Sequence, residues 1–221
     1  MYYKYFYKIF FFLFIIIFSC RGQEKPPSWI GLDLLKNVPV SLRAARSKQF
    51  LKIIVEPVVM IPLGKKALFN LGMGYANIKK YPVYKNLDYH NEGVYLKGGM
   101  GYPIKHSSSG FILTMGLNLA YTIFHESGDF VFESNYFRDY RVKMTSKKVQ
   151  AHGIEIYLSQ ILPLTGKWHL NFEERLNFFN MNYEKINDIP VYFVPGFGSI
   201  VNNNHITGGF TIKILYKIMN N

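Results

Sequence analysis

Apolar and polar residues alternate with a period of two along much of the chain, which indicates β-strands with one apolar face. The clearest run is 111–124, where one face is wholly apolar and the other is mostly small or neutral polar. The same alternation appears in 67–76, 94–102 and 206–218. We therefore predict strands in these four segments.

Four further segments show the pattern less cleanly and bring the predicted count to eight: 30–35, 50–61, 152–161 and 168–178. Short connections that carry Pro or Gly alternate with long ones, which are 36–49, 77–93, 125–151 and 179–205. Outer-membrane barrels show this asymmetry, with tight turns on the periplasmic side and long loops outside. The predicted fold class is all-β, an eight-stranded antiparallel up-and-down transmembrane β-barrel.

A soluble periplasmic barrel of the lipocalin type is the alternative fold, and the two barrels differ in the face that points inward. The second face here carries Gly, Ala, Thr, Ser and Asn with few charges, which fits the crowded lumen of a narrow barrel. Aromatic residues lie toward both ends of the apolar face, as membrane-interface girdles require. They are Tyr102, Phe111, Trp168 and Tyr216 at the short-turn end, and Tyr75 and Tyr121 at the other. This pattern favours the membrane barrel.

The N-terminus resembles an export signal. Lys4 and Lys8 precede an unbroken apolar run of ten residues, 9–18, which is too short to cross a bilayer as a helix. Cleavage after Gly22 predicts a signal peptide over 1–22 and a barrel over 23–221, located in the outer membrane. The alternative reading takes "IFSC" as a lipobox and makes Cys20, the single cysteine, a lipid anchor.

Without residues 1–22 the chain has 23 basic and 14 acidic residues, a net charge of +9. This balance favours anionic surroundings, and we predict outer-membrane lipid and lipopolysaccharide as partners. A composition rich in Lys, Asn and Ile explains the charge equally well. The predicted export and the lack of any nucleic-acid motif argue against nucleic acid. We predict no cofactor and no metal, since the six histidines show no ligand spacing.

Successive residues of a strand face opposite sides of the sheet, and this alternation (parity) predicts that four acids and four bases point into the lumen. They are Asp33, Lys52, Glu56, Lys97, Glu155, Glu173, Arg175 and Lys213. An eight-stranded barrel leaves room only for side chains, so we predict an internal salt-bridge network that plugs the lumen. The alternative is a lipid-acting enzyme of the lipid A deacylase or acyltransferase type, with Ser159, His169 and Glu155 as its candidate residues. We favour a protein without enzymatic activity.

The segment 125–151 interleaves aromatic and basic residues, a composition suited to a protein or sugar-phosphate partner. The predicted loop surface consists of Phe132, Tyr136, Phe137, Arg138, Tyr140 and Arg141. Such a surface would bind an envelope protein partner. The same segment also fits two strands that extend the barrel above the membrane. The Pro and Gly residues of "VPGFG", 194–198, predict a rigid turn that folds over the barrel mouth as a lid.

The segments "WIGLDLLK", "LGMGYA", "VYLKGGMGY", "AHGIEIYL", "FEERLNFF" and above all "IPVYFVPGFGSI" resemble a family of uncharacterised outer-membrane-barrel-like proteins of Bacteroidota-type Gram-negative bacteria. The resemblance covers nearly the whole chain after residue 22 and implies a location and a fold, with no assigned activity. Glu174 departs from the pattern, because parity places this carboxylate on the apolar face. Either a β-bulge shifts the register near "FEER", or this strand weakens the membrane interpretation.

Overall fold

The computed structural model describes residues 27–34, 51–64, 66–79, 87–107, 109–132, 140–145, 148–182, 193–200 and 205–219. The predicted signal peptide and Cys20 lie outside these residues. No helix within the described ranges is long and apolar enough to cross a membrane.

Twelve strands make up the described structure. They are β1 Ser28–Asp33, β2 Leu51–Val55, β3 Pro57–Leu63, β4 Ala67–Lys79, β5 Leu87–His106, β6 Ile112–Phe132, β7 Tyr140–Thr145, β8 Val149–Thr165, β9 Trp168–Asn182, β10 Phe193–Val194, β11 Gly198–Ser199 and β12 Ile206–Met219. All of their pairings are antiparallel.

Eight wall strands, which we call staves, close into a barrel. The barrel closes because β1 pairs with β12 on one side and with β3 on the other. Strands β2 and β3 form one stave: Val55 pairs with Tyr75 and Val58 with Gly72, in a single continuous register against β4. Pro57 begins β3 and has no N–H to give to the ladder, which accounts for the break between them. The predicted eight-stranded antiparallel barrel is confirmed.

The register fixes the tilt of the staves. Followed from Ile30 through successive Cα partners, it passes through Val59, Leu71, Gly98, Leu119, Ile154, Phe178 and Ile206. Ile206 lies ten residues along β12 from Tyr216, which is the partner of Ile30. The shear number is therefore ten, and an eight-stranded barrel with this shear has staves tilted by roughly 40°.

The staves are longer than the sequence pattern predicts. Strand β5 has 20 residues and β6 has 21, and both continue past the end of the alternating segments. Strand β7 pairs with the far end of β6, for example Arg141 with Val131, so part of 125–151 extends the barrel as two strands. Backbone pairing needs no apolar face, so these extensions carry no period-two signal.

The register of β9 is regular on both sides of Glu174, which pairs with Leu158 on β8 and with Phe210 on β12. Of the two alternatives for Glu174, the β-bulge is therefore excluded. Glu174 is exposed, and its side chain lies on the outer face of the barrel.

Inward-facing glycines provide the space for large inward-facing side chains on the next stave. A Cβ atom added at any of these glycines would contact the side chain or backbone of its Cα partner at less than 3.0 Å. The pairs are Gly31 with Leu215, Gly74 with Tyr95, Gly93 with Phe124, Gly99 with Asn118, Gly116 with Tyr157, Gly153 with Phe179 and Gly209 with Arg175.

The interior is arranged in layers. At the short-turn end an apolar cluster includes Trp29, Met60 and Leu215. At the long-loop end two further apolar clusters surround β10 and β11, with Phe124 in one and Tyr95 in the other. Polar and charged side chains lie between these ends, and they form the candidate site.

Candidate functional site: a charged layer sealed inside the barrel

The charged layer is the set of ionisable side chains at mid-height in the lumen. Six of the eight sequence-predicted residues are at most 7% exposed: Asp33, Glu56, Lys97, Glu155, Glu173 and Lys213. The Arg175 side chain is 9% exposed and joins them. Lys52 lies on β2, but its side chain is outside the described part of the structure. The structure thus brings seven of the predicted residues into one interior layer.

Glu155 lies at the centre of the layer. Its Oε2 atom forms an ion pair with Lys97 Nζ and lies 3.7 Å from Arg175 Nη1. Its Oε1 atom accepts a hydrogen bond of 2.9 Å from Asn118 Nδ2. The two cations and the amide come from three different staves, so one carboxylate connects β5, β6 and β9 to β8.

Two further contacts extend the layer around the barrel wall. Lys213 Nζ donates to Glu173 Oε2 at 2.6 Å, which connects β12 to β9. The Tyr95 hydroxyl donates to Glu56 Oε2 at 2.5 Å, which connects β5 to the junction of β2 and β3. Asp33 is buried on β1, where it is the Cα partner of Lys213.

The layer leaves little free volume. A small cavity between Glu56, Lys97, Glu155, Glu173 and Lys213 has room for about one water molecule. Because burial removes the hydration of every charge, such a layer is stable only when each charge has a close opposite charge or hydrogen bond. The contacts above supply such partners to the two lysines and to three of the carboxylates, so these charged side chains occupy the lumen at this level.

The three candidate residues for acyl transfer do not form a catalytic group. Ser159 Oγ donates to Asn171 Oδ1 at 2.7 Å, and His169 Nδ1 lies 3.1 Å from the Lys167 carbonyl oxygen. Ser159 pairs in register with Glu173, which is four residues from His169, about 13 Å along the strand. The His169 ring packs edge-on against Trp29 instead, with centroids 6.1 Å apart. No group of three or more possible metal ligands occurs among the described residues.

A short hairpin lies in the lumen at the long-loop end. This plug hairpin, residues 193–200, consists of β10, a turn and β11. Phe193, Val194, Phe197 and Ile200 are all buried, and the Phe197 ring packs on Phe179 with centroids 4.9 Å apart. Gly196 in the turn has a φ of 84° and lies against the Tyr95 ring, so its conformation and the space both require glycine. The predicted lid therefore lies inside the mouth.

Side chains of the barrel wall hold the plug hairpin by its backbone carbonyl groups. The Phe197 carbonyl oxygen accepts hydrogen bonds from Asn177 Nδ2 at 2.9 Å and from Thr207 Oγ1 at 2.5 Å. The Phe193 carbonyl oxygen accepts a third from Asn91 Nδ2 at 2.9 Å. Since these donors belong to β9, β12 and β5, the hairpin is anchored on several sides of the mouth.

The predicted loop surface is only partly described. Tyr140 and Arg141 begin β7, and both are exposed, Tyr140 to 67%. Phe132 ends β6, but its side chain is outside the described part. Tyr136, Phe137 and Arg138 lie outside the described residues. The partner expected at this surface stays a prediction.

Sequence reasoning missed several interior polar residues. The Tyr157 hydroxyl contacts Asn70 Nδ2 inside the barrel, above Gly116. Glu126 is buried above the charged layer, where it accepts hydrogen bonds from Tyr89 and Asn91. The glycine opposite Tyr157 was a usable signal, because an inward glycine marks a large neighbour. The period-two pattern of apolar and polar residues in β6 ends at residue 124, so it did not predict which later residues of that strand face the interior.

No family model matches the chain, and no curated protein matches it. Among solved structures, that of Acinetobacter baumannii CarO is similar to this chain with a TM-score of 0.43 and 8% sequence identity, over 90% of this chain and 100% of that chain. The barrel assignment rests on the strand pairing and not on this likeness. The resemblance to the Bacteroidota-type family stays a prediction.

Proposed function

We propose that this chain is a small outer-membrane β-barrel, closed to bulk flow, with a structural or interaction role carried by its long-loop end. The observation that carries the proposal is the outer face of the barrel. Large apolar side chains are exposed on all eight staves, among them Leu32, Val55, Met73, Leu96, Leu119, Ile154, Leu176 and Phe210.

An apolar belt that encircles the molecule is far larger than the few hundred Å² of contiguous apolar surface that a soluble monomer exposes. Trp168 and Tyr216 pack edge-on at its short-turn border, with centroids 5.0 Å apart. Tyr75 and Tyr121 are exposed toward its other border. Aromatic residues at both borders of an apolar belt are typical of barrels in lipid, whereas a soluble lipocalin-type barrel requires a polar outer face.

The occupied interior supports a structural or interaction role. Apolar side chains and the plug hairpin lie in the lumen toward its two ends, and the charged layer lies between them. Such a barrel offers no continuous aqueous path, so contacts with other molecules fall to its surfaces. Lipid and lipopolysaccharide would contact the apolar belt, and an envelope protein would contact the exposed extension formed by β6 and β7.

The experiment is cell fractionation with heat-modifiable gel mobility, combined with substitution on the outer face. Leu117→Arg places a charge in the belt at mid-strand and should cost about 2–4 kcal/mol and impair insertion. Tyr140→Arg is the control, because Tyr140 is exposed on β7 beyond the belt. We expect the control to remain a heat-modifiable outer-membrane protein. Recovery of the native chain from the soluble fraction, or equal tolerance of both variants, would contradict the membrane barrel.

A further inference from the structure

Glu174 is an ionisable residue in the middle of the apolar belt. It is exposed on the outer face, and its register is regular with both neighbouring staves. It lies six residues along β9 from Trp168 at the belt border, about 15 Å along the barrel axis for a tilt of about 40°. Since the belt of an outer-membrane barrel is about 25 Å tall, Glu174 lies near the depth of the bilayer centre.

The direct neighbours of Glu174 on its own chain are apolar. Phe172 and Leu176 flank it along β9, and Leu158 and Phe210 are its Cα partners on the adjacent staves. Among the described residues the Glu174 side chain makes no hydrogen bond or ion pair. Hydrocarbon offers no partner to a carboxyl group, in either its charged or its neutral form, so this placement is costly for an isolated barrel.

A second polar side chain lies on the same patch. Gln160 on β8 is exposed on the outer face, one diagonal step from Glu174, because its Cα partner is Phe172. Gly208 on β12 is exposed beside Leu176, and a Cβ added there would meet nothing closer than 3.8 Å. The patch thus combines a carboxyl group, a carboxamide and a position without a side chain, which permits close approach.

We propose that the outer face of β8, β9 and β12 around Glu174 and Gln160 is the interface with a second copy of this chain in the membrane. A two-fold axis along the membrane normal turns Glu174 of each copy toward Gln160 of the other. Gln160 lies one diagonal step nearer the short-turn end, an offset that two long side chains can span, so the patch is complementary to itself and makes two equivalent hydrogen-bonded contacts. A cationic partner would pair with Glu174 but would leave Gln160 unsatisfied, whereas a second copy satisfies both. The inference rests on the proposed membrane location.

The test is oxidative crosslinking in isolated outer membranes with one added cysteine. Leu176→Cys reports on the proposed interface. Met73→Cys is the matched control, since Met73 is exposed in the belt on β4, four staves away. We expect a species of twice the chain mass from Leu176→Cys, with none from Met73→Cys or from the chain with its native cysteine alone. Adding Glu174→Leu should weaken the crosslink about tenfold, whereas Glu174→Gln should keep it.

Equal crosslinking at the two cysteine positions, or a crosslink that survives Glu174→Leu unchanged, would overturn the proposal. A product whose mass fits a different protein would also overturn it, because the partner is then not a second copy. Each variant is checked for heat-modifiable mobility in the same membranes. A monomeric but heat-modifiable chain therefore defeats the dimer alone, while a chain absent from the membrane defeats the proposed function.

Discussion

At the scale of single residues, the barrel is packed by pairing large side chains with glycines across stave boundaries. Gly99 and its neighbour Gly98 show the rule, because adjacent residues of a strand point to opposite faces. A Cβ at Gly99 would collide with the backbone and side chain of β6, whereas a Cβ at Gly98 meets nothing closer than 3.8 Å. An inward-facing glycine therefore makes room for a neighbouring stave, whereas an outward-facing glycine of the same strand does not. The face on which a glycine lies distinguishes the two.

We predict that Gly99→Ala destabilises the barrel by about 1–3 kcal/mol, because the contacted backbone of Leu117 cannot move aside cheaply. Gly98→Ala should stay within about 0.5 kcal/mol of the native chain. Urea titration of the protein folded into lipid vesicles measures both. Similar free energies of unfolding for the two variants would contradict this account of the packing.

At the scale of elements, the plug hairpin is held by side-chain donors rather than by a continuous ladder. Thr207 and Thr211 lie on the same inward face of β12 and are both buried. Thr207 donates to the Phe197 carbonyl group, but Thr211 Oγ1 has no hydrogen-bond partner among the described residues. One hydroxyl fixes the hairpin, and the other serves as its internal control.

We predict that Thr207→Val speeds amide hydrogen exchange in 193–200 about tenfold, since the hydrogen bond lost from the Phe197 carbonyl group costs about 1–1.5 kcal/mol. The hydrogen bond that Thr207 Oγ1 accepts from Asn177 is lost as well, but it does not reach the hairpin. Thr211→Val should leave this exchange unchanged. Mass spectrometry of the exchanging protein in detergent measures the hairpin and the staves separately. Equal rates of hydrogen exchange in 193–200 for the two variants would show that the Thr207 contact does not anchor the hairpin.

At the scale of the whole molecule, the charged layer ties distant staves together through desolvated ion pairs. Lys213→Met leaves Glu173 buried without its cation and should cost about 3–5 kcal/mol. Glu173→Leu should cost a comparable amount for the same reason. In the double variant both charges are gone, and we predict recovery of most of the loss.

The same urea titration in vesicles measures the three variants as a double-mutant cycle. Additive losses in the double variant would contradict a structural ion pair. Such additivity would show that the two side chains act independently of each other.

The sequence predicts the faces of the staves but not the partners across them. Parity in 111–124 places Leu117 outside and Asn118 inside, as the structure has them. It does not predict that Lys97 meets Glu155, because these residues lie on staves separated by β6. Their meeting depends on the register of β5, β6 and β8, and the irregularity next to Pro103, near the short turn between β5 and β6, contributes to it. The period-two pattern along a strand does not contain the register between strands.

The location of the plug hairpin bears on the order of assembly. The hairpin belongs to the connection between β9 and β12, and one of its anchors, Thr207, is on β12 itself. The seam between β1 and β12 closes the barrel. Before the last strand has paired, the sheet is open. Its charged interior side chains then contact water, and the plug hairpin lacks its anchor on β12. Closure of the wall and exclusion of water from the interior are therefore coupled in time, and a delay at the seam delays both.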